Sequence, residues 1–274
     1  MMKRILFACG LLFCGLATVP AQAQMSSGAS TIEAPERVVP FAKKVERILA
    51  DRGAVVALVS RMGRDPDDMP EGTGDYTHVG IWVYSEVTAP DGSKVNGYAV
   101  YNLYQTEEDS ARSELVQDFP AEFFGAVVDL KAGIIIPNAE LQMEILRVLK
   151  SPTYRKLHVP AYSVVANPYE WRYQNCTNFV MDVVVAAIYD TGSRVEISQR
   201  LREYYEPQTV RLSGLLRVAG SVFVPGFATA DHHGGPLRTS TFGSIARFLT
   251  KYEMAEAILE VSEDGVTEPE AESL

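Results

Sequence analysis

The chain has 274 residues, 47% of them apolar and 22% charged, with 25 Lys and Arg against 35 Asp and Glu for a formal charge of −10. That is enough apolar material for a substantial core, as one decorated domain or one domain plus an extension. The acidic balance excludes nucleic acid and anionic membrane surfaces as partners, because both require clustered Lys and Arg.

Residues 1–23 carry Lys3 and Arg4, an apolar stretch from Ile5 to Val19 and the small-residue site Ala21-Gln22-Ala23. This is the pattern of a secretory signal peptide cleaved before Gln24. Its apolar run is shorter than the ~20 residues of a spanning helix, and no later segment is apolar for long enough, so no stable membrane insertion is expected after cleavage. Lipid attachment is disfavoured, with bulky Phe13 before Cys14 and Cys9 near the charged start. The mature chain is expected in a periplasmic or extracellular space, and loss of Lys3 and Arg4 takes its formal charge to −12. Cys9 and Cys14 leave with the leader, so Cys176 is left without an intramolecular disulfide partner. It is either a small buried hydrophobe or a reactive thiol.

Residues 24–35 are rich in Ser, Ala and Gly and read as a disordered linker. The apolar spacing from Val38 to Ala50 predicts an amphipathic helix with Pro40 in its first turn. AVVALVS, 54–60, predicts a buried strand, and 63–76 a long Gly, Pro and Asp loop of the kind that carries a site or moves. HVGIWVYSEV and KVNGYAVYNLY around Pro90-Asp91-Gly92 predict a β-hairpin. A polar helix over 107–117 follows, then over 127–136 a strand or a tight pair of strands broken at Lys131-Ala132-Gly133 and ended by Pro137, then a helix from the cap Asn138 to Lys150. YSVVA, 162–166, predicts a strand and NCTNFVMDVVVAAIY, 175–189, a helix packed on several sides. Beyond Asp190 the signals are helical, over 198–204, 210–218 and 242–261. Residues 191–262 therefore read as a helical C-terminal extension and 263–274 as a disordered acidic tail.

With Gln174 or Asn175 as N-cap, Cys176 falls in the first turn of its helix, near free backbone N–H groups and the positive end of the dipole. That setting favours thiolate and offers donors for an oxyanion, as a nucleophilic cysteine requires. The nucleophile needs a base among His78, His158, His232 and His233. His78 opens a strand directly after the long loop, where an imidazole faces a cleft. His158 lies in a basic loop and is expected to be solvated, and the adjacent pair His232-His233 sits in a turn-like stretch that is weak as a metal site. His78 is therefore the expected base. A competing assignment keeps Cys176 and takes His232 or His233.

DYTHVGIWV followed by a hairpin, and QNCTNFV opening a helix almost one hundred residues later, resembles the circularly permuted branch of the NlpC/P60 papain-like superfamily, with its YiiX-like and lecithin retinol acyltransferase-like members. The resemblance spans roughly residues 50–190 and rests on His-x-Gly-Ile on a strand, Asn-Cys-x-x-Phe on a helix, and their order. It implies His78 as base and Cys176 as nucleophile, on an antiparallel sheet packed against the Cys-bearing helix.

Papain-like triads use a third polar group to orient the imidazole. A three-residue loop at Pro90-Asp91-Gly92 pairs residues whose numbers sum to 182, which sets Tyr104 opposite His78 and Asn102 diagonal to it on the same face. A two-residue turn would place Tyr101 there instead. Asn102 is preferred. Some relatives carry a second histidine near this place, and this chain has none. The aromatic residues of the hairpin read first as sheet packing, with Trp82 and Tyr104 sharing the His78 face as groove-lining, substrate-binding candidates. Tyr76 is a candidate oxyanion donor. Asn175 reads as a cap and Asn178 as solvated.

The expected fold is α+β: a permuted papain-like core over 36–190 with an antiparallel sheet on the Cys-bearing helix, plus the helical extension. The expected function is a secreted cysteine hydrolase or acyl-transfer enzyme, with catalytic Cys176, His78 and Asn102 and no metal or organic cofactor. Its substrate would be an amide or ester in a cell-envelope peptide, protein or lipid. The alternative is a catalytically silent envelope binding module that retains the fold.

Overall fold

The computed structural model describes residues 33–65, 73–88, 92–211 and 226–274, with 67, 69 and 71 in the loop between the first two segments. The expected signal peptide, most of the linker, the hairpin turn at 89–91 and most of the helix expected over 210–218 lie outside the described residues.

The protein is a mixed α+β fold built on a seven-stranded antiparallel sheet. Its strands are β1 (Val56–Met62), β2 (His78–Thr88), β3 (Lys94–Gln105), β4 (Ser113–Asp118), β5 (Asp129–Pro137), β8 (Ala255–Ser262) and β9 (Val266–Thr267). In space they run β4-β3-β2-β1-β5-β8-β9. A separate ribbon pairs β6 (Gln208–Val210) with β7 (Leu237–Thr239).

Alternation of side chains along each strand divides the core between the two faces of the sheet. On one face Ala57, Val59, Trp82, Tyr98, Val100 and Ile134 meet helix α1 (Pro35–Asp51) and the short helix α2 (Pro120–Phe123). Val38, Phe41, Ala42, Val45 and Leu49 of α1 are buried there at helical spacing. Helix α1 starts earlier than the apolar spacing predicts, so Pro40 lies inside it rather than in its first turn. On the other face Val56, Leu58, Val79, Ile81, Val83 and Leu103 meet three helices. These are α3 (Ala139–Leu149), α5 (Cys176–Tyr189) and α7 (Phe242–Lys251). Asn138 caps α3 as predicted, its side chain accepting from Leu141 N. Helices α4 (Pro152–Lys156) and α6 (Arg194–Tyr204) flank this layer.

Four local expectations differ from the structure. Residues 113–118 form edge strand β4 rather than a helix, because the hydrogen-bonding edge of β3 organises a segment with little apolar alternation of its own. Residues 162–166 form turns, tied to neighbouring chain by the bridge of Tyr162 with Gln174. Helix α7 stops at Lys251, where Glu253 takes a left-handed φ of 57° and Met254 N donates to Leu249 O, and the chain continues as β8 paired with β5. The C-terminal extension thus contributes a strand to the main sheet. Residues 263–274 are docked, with Ala271 buried and Arg247 Nη1 donating to Leu274 O.

Candidate functional site

Helix α5 is buried along most of its length, and its first turn is polar and clamped. Asn175 caps it by accepting from Asn178 N at 2.9 Å, and its amide donates to Thr239 Oγ1 at 3.1 Å. Thr177 Oγ1 donates to Ser240 O at 2.7 Å, while Asn178 donates to Ala166 O and accepts from Ser240 N. Asn178 is therefore a buried tie between α5 and the 239–241 segment, not a solvated residue. Its signal in the sequence is only its place one turn into an otherwise apolar helix.

Cys176 stands at the first position of α5, is 6% exposed, and is a free cysteine. Its Sγ lies 3.9 Å from the carbonyl oxygen of Thr77, the residue before His78. Burial pushes the thiol pKa up, and the backbone N–H groups of Val79, Thr177 and Cys176, with the charge of Arg61, act against that without reversing it. The resting group is a thiol. The helix start alone predicts a thiolate, and the loss of hydration outweighs the dipole.

The hairpin has the register of a three-residue loop, with Ile81 opposite Tyr101 and Thr88 opposite Lys94. As that register requires, Asn102 reaches diagonally to His78, its Oδ1 3.0 Å from Nε2. The fit depends on Gly80. Continuing the register by one pair sets Gly80 opposite Asn102, and a Cβ on Gly80 would stand 2.6 Å from Asn102 Oδ1. The bare glycine leaves room for the carboxamide to lean onto the imidazole, which gives the His-x-Gly spacing a physical cause.

His78 is 1% exposed, stacked on Tyr104 at 4.8 Å and packed against Phe123. Its pKa is lowered to about 3, first by burial and then by the Arg61 charge, with the Asn102 contact acting the other way. It is neutral at physiological pH. Its Nδ1 is buried with no hydrogen-bond partner. Beyond it lie two residues that the sequence reading missed. Asp118 Oδ2 accepts from Asn102 Nδ2 at 3.0 Å and from Tyr104 Oη at 2.7 Å. Arg61 is fully buried at the end of β1, donates to Phe123 O and lies over the rings of Phe123 and Tyr104. A cation closing an apolar strand was the signal for Arg61. Asp118 falls one residue past the helix expected over 107–117, so nothing in the sequence sets it on a strand beside Asn102.

His78, Gly80 and Trp82 point to the α1 side of the sheet, whereas α5 packs on the other side against Val79, Ile81 and Val83. Sγ therefore meets the backbone flanking His78, and no hydrogen bond joins it to the imidazole in this resting geometry. Residues 48–249 match the model of a family described as "Uncharacterized protein conserved in bacteria (DUF2145)". The chain belongs to this family. The span shared with DUF2145 includes Arg61, His78, Asn102, Asp118 and Cys176, and ends inside α7 before β8. No curated protein and no solved structure matches the chain.

The remaining candidates divide. Trp82 is fully buried among Tyr98, Phe123 and Phe124, which makes it core rather than groove lining. Tyr104 is equally buried and supports His78 instead of facing an open groove. Tyr76 lines a cleft of about 340 Å³ with Lys131, Phe242 and Glu260. Its hydroxyl is committed to Glu260 at 2.5 Å, and Glu260 is also paired with Lys131 at 2.8 Å. His158 is half-buried against Ser113 Oγ rather than solvated. His232 is buried with Nε2 donating to Val165 O, and His233 is exposed.

Proposed function

We propose that this protein is an exported cysteine hydrolase or acyl-transfer enzyme with a permuted papain-like core, acting on an amide or ester of a cell-envelope peptide, protein or lipid. The observation that carries the reading is the convergence of the α5 first turn on the start of β2. It sets the thiol sulfur of the single cysteine expected in the mature chain against the backbone on either side of an imidazole whose Nε2 is held by Asn102 and whose Nδ1 is unpartnered.

Both groups rest neutral, so the chemistry begins with general-base removal of the thiol proton. Sγ–H passes its proton to His78 Nδ1 as sulfur bonds to the substrate carbonyl carbon, and the N–H groups at the start of α5 receive the developing oxyanion. Collapse returns that proton to the leaving amine or alcohol and leaves a thioester at Cys176. Water or another acceptor then releases the acyl group. Because the two side chains lie on opposite faces of the sheet at rest, this sequence requires the first residues of β2 to turn in the substrate complex so that His78 Nδ1 comes within hydrogen-bond range of Sγ.

Labelling the mature protein near neutral pH with a thiol-directed acyl probe, and mapping the adduct, tests the reading. The adduct is expected on Cys176, with a rate about a hundredfold lower in His78→Gln. Labelling indifferent to His78, or a Cys176→Ala protein that has lost most of its stability, refutes it. The burial of both side chains supports a second reading from another class, a catalytically silent binding module. That reading predicts that Cys176→Ala retains full affinity for an envelope partner and that no acyl adduct forms.

A further inference from the structure

The proposed reaction gives no part to Asp118, which is buried directly behind Asn102. Asp118, at the end of edge strand β4, offers a single oxygen to both Asn102 Nδ2 and Tyr104 Oη, at 3.0 and 2.7 Å. An ionised carboxylate only accepts hydrogen bonds. The end of the Asn102 carboxamide that faces Asp118 must then be its NH2 group, which leaves Oδ1 facing His78 Nε2 at 3.0 Å. A carbonyl oxygen also only accepts, so Nε2 must carry the ring proton and Nδ1 the lone pair. Without a carboxylate behind it, the carboxamide could turn over and present NH2 to the ring. The opposite tautomer would then be favoured, with a hydrogen on Nδ1 where a proton has to be taken up.

We infer that Asp118 is a positioning residue that acts through Asn102 to hold His78 in the Nε2–H tautomer, keeping Nδ1 available. Its catalytic consequence rests on the reading of His78 as general base, whereas the tautomer itself does not. The neighbours support the arrangement. Burial and the Glu122 charge raise the Asp118 pKa, while the Tyr104 hydroxyl, the Arg61 charge and the Asn102 amide act the other way and stabilise its ionised form. The Tyr104 ring, 11° from parallel with the imidazole, keeps the ring in the plane that Asn102 requires.

The test is the tautomer of His78, read by long-range proton–nitrogen correlation on protein labelled with ¹⁵N-histidine and assigned with His78→Gln. Wild type is expected to show Nε2–H alone, and Tyr104→Phe to keep it, since the Asp118–Asn102 contact remains. Asp118→Leu and Asp118→Asn are expected to show both tautomers, because neither side chain forces one orientation of the carboxamide. Turnover in those variants should fall about tenfold or more with little change in KM, the pattern of a misplaced ring proton. An Nδ1–H wild type overturns the inference, as does a folded Asp118→Leu or Asp118→Asn protein with Nε2–H unchanged. If Asp118→Leu does not fold, Asp118→Asn decides alone. Mixed tautomers in the variants, with no acyl adduct on wild-type Cys176, would keep the positioning role and reject the enzyme reading.

Discussion

Gly80 and Asn102 show how closely the site depends on single atoms. The carboxamide oxygen occupies the space that a methyl group at position 80 would fill, at 2.6 Å, with Phe123 and Val100 next nearest at 3.1 Å. Gly80→Ala is expected to cost about 1–3 kcal/mol through overpacking and to slow acylation of Cys176, because Asn102 must withdraw from His78. Urea midpoints and labelling rates check both effects. A gain in stability, the usual result of replacing glycine in an unobstructed strand, would show that Asn102 does not lean there. Register and spacing pointed to His78, Asn102 and Cys176 in the sequence because each follows from a local rule, a hairpin loop length or a helix cap. Arg61, Gly80 and Asp118 acquire their roles from neighbours 14 to 62 residues away, as in Arg61 to Phe123 O and Tyr104 to Asp118, and no local rule reports such neighbours.

At the scale of elements, the strands that the sequence hid are those whose formation depends on a partner. β4 reads as polar because Ser113 and Asp118, its buried ends, are polar. β8 has apolar spacing compatible with a continuing helix, and the break before it is made by Glu253 in a left-handed conformation without the glycine that usually marks such a stop. In the structure Leu259 and Val261 face the α1 core while Glu256 faces solvent. Leu259→Ala is accordingly expected to cost about 2–5 kcal/mol, and Glu256→Ala to stay within about 0.5 kcal/mol. Equilibrium unfolding of the two variants checks this, and equal small effects would count against β8 as a central part of the fold.

Across the whole molecule, the buried His78 and the half-buried Asp182 set opposing pH dependences. The His78 pKa falls from 6.5 to about 3 on folding, so its contribution is complete above about 6.5 and is lost as pH falls toward 3, where the unfolded chain binds the extra proton. Asp182 inside α5 behaves oppositely. Burial raises it from 3.8 to about 7 against the Gln174 hydrogen bond and the Arg194 charge, so its contribution is complete below 3.8 and is lost as pH rises toward 7. Between pH 4 and 6.5 the two largely offset. Asp182→Asn should therefore show stability rising with pH there by up to about 1.4 kcal/mol per unit more than wild type, and His78→Gln the reverse change. Unfolding curves measured across that range check the signs, and parallel profiles for all three proteins would contradict the buried-group account.

The sequence by itself determined the elements that local chemistry specifies: the apolar stripes of α1 and α3, the Asn138 cap of α3, the β2–β3 hairpin and its register, and the start of α5 at Cys176. Tertiary structure alone decided which face each site residue occupies, that α5 and β2 converge at Thr77–Val79, and that burial leaves both sulfur and imidazole neutral. The division has one physical origin. Caps, turns and periodicity act over a few residues, whereas desolvation and β-pairing depend on which distant segments exclude water from a group or complete its hydrogen bonds.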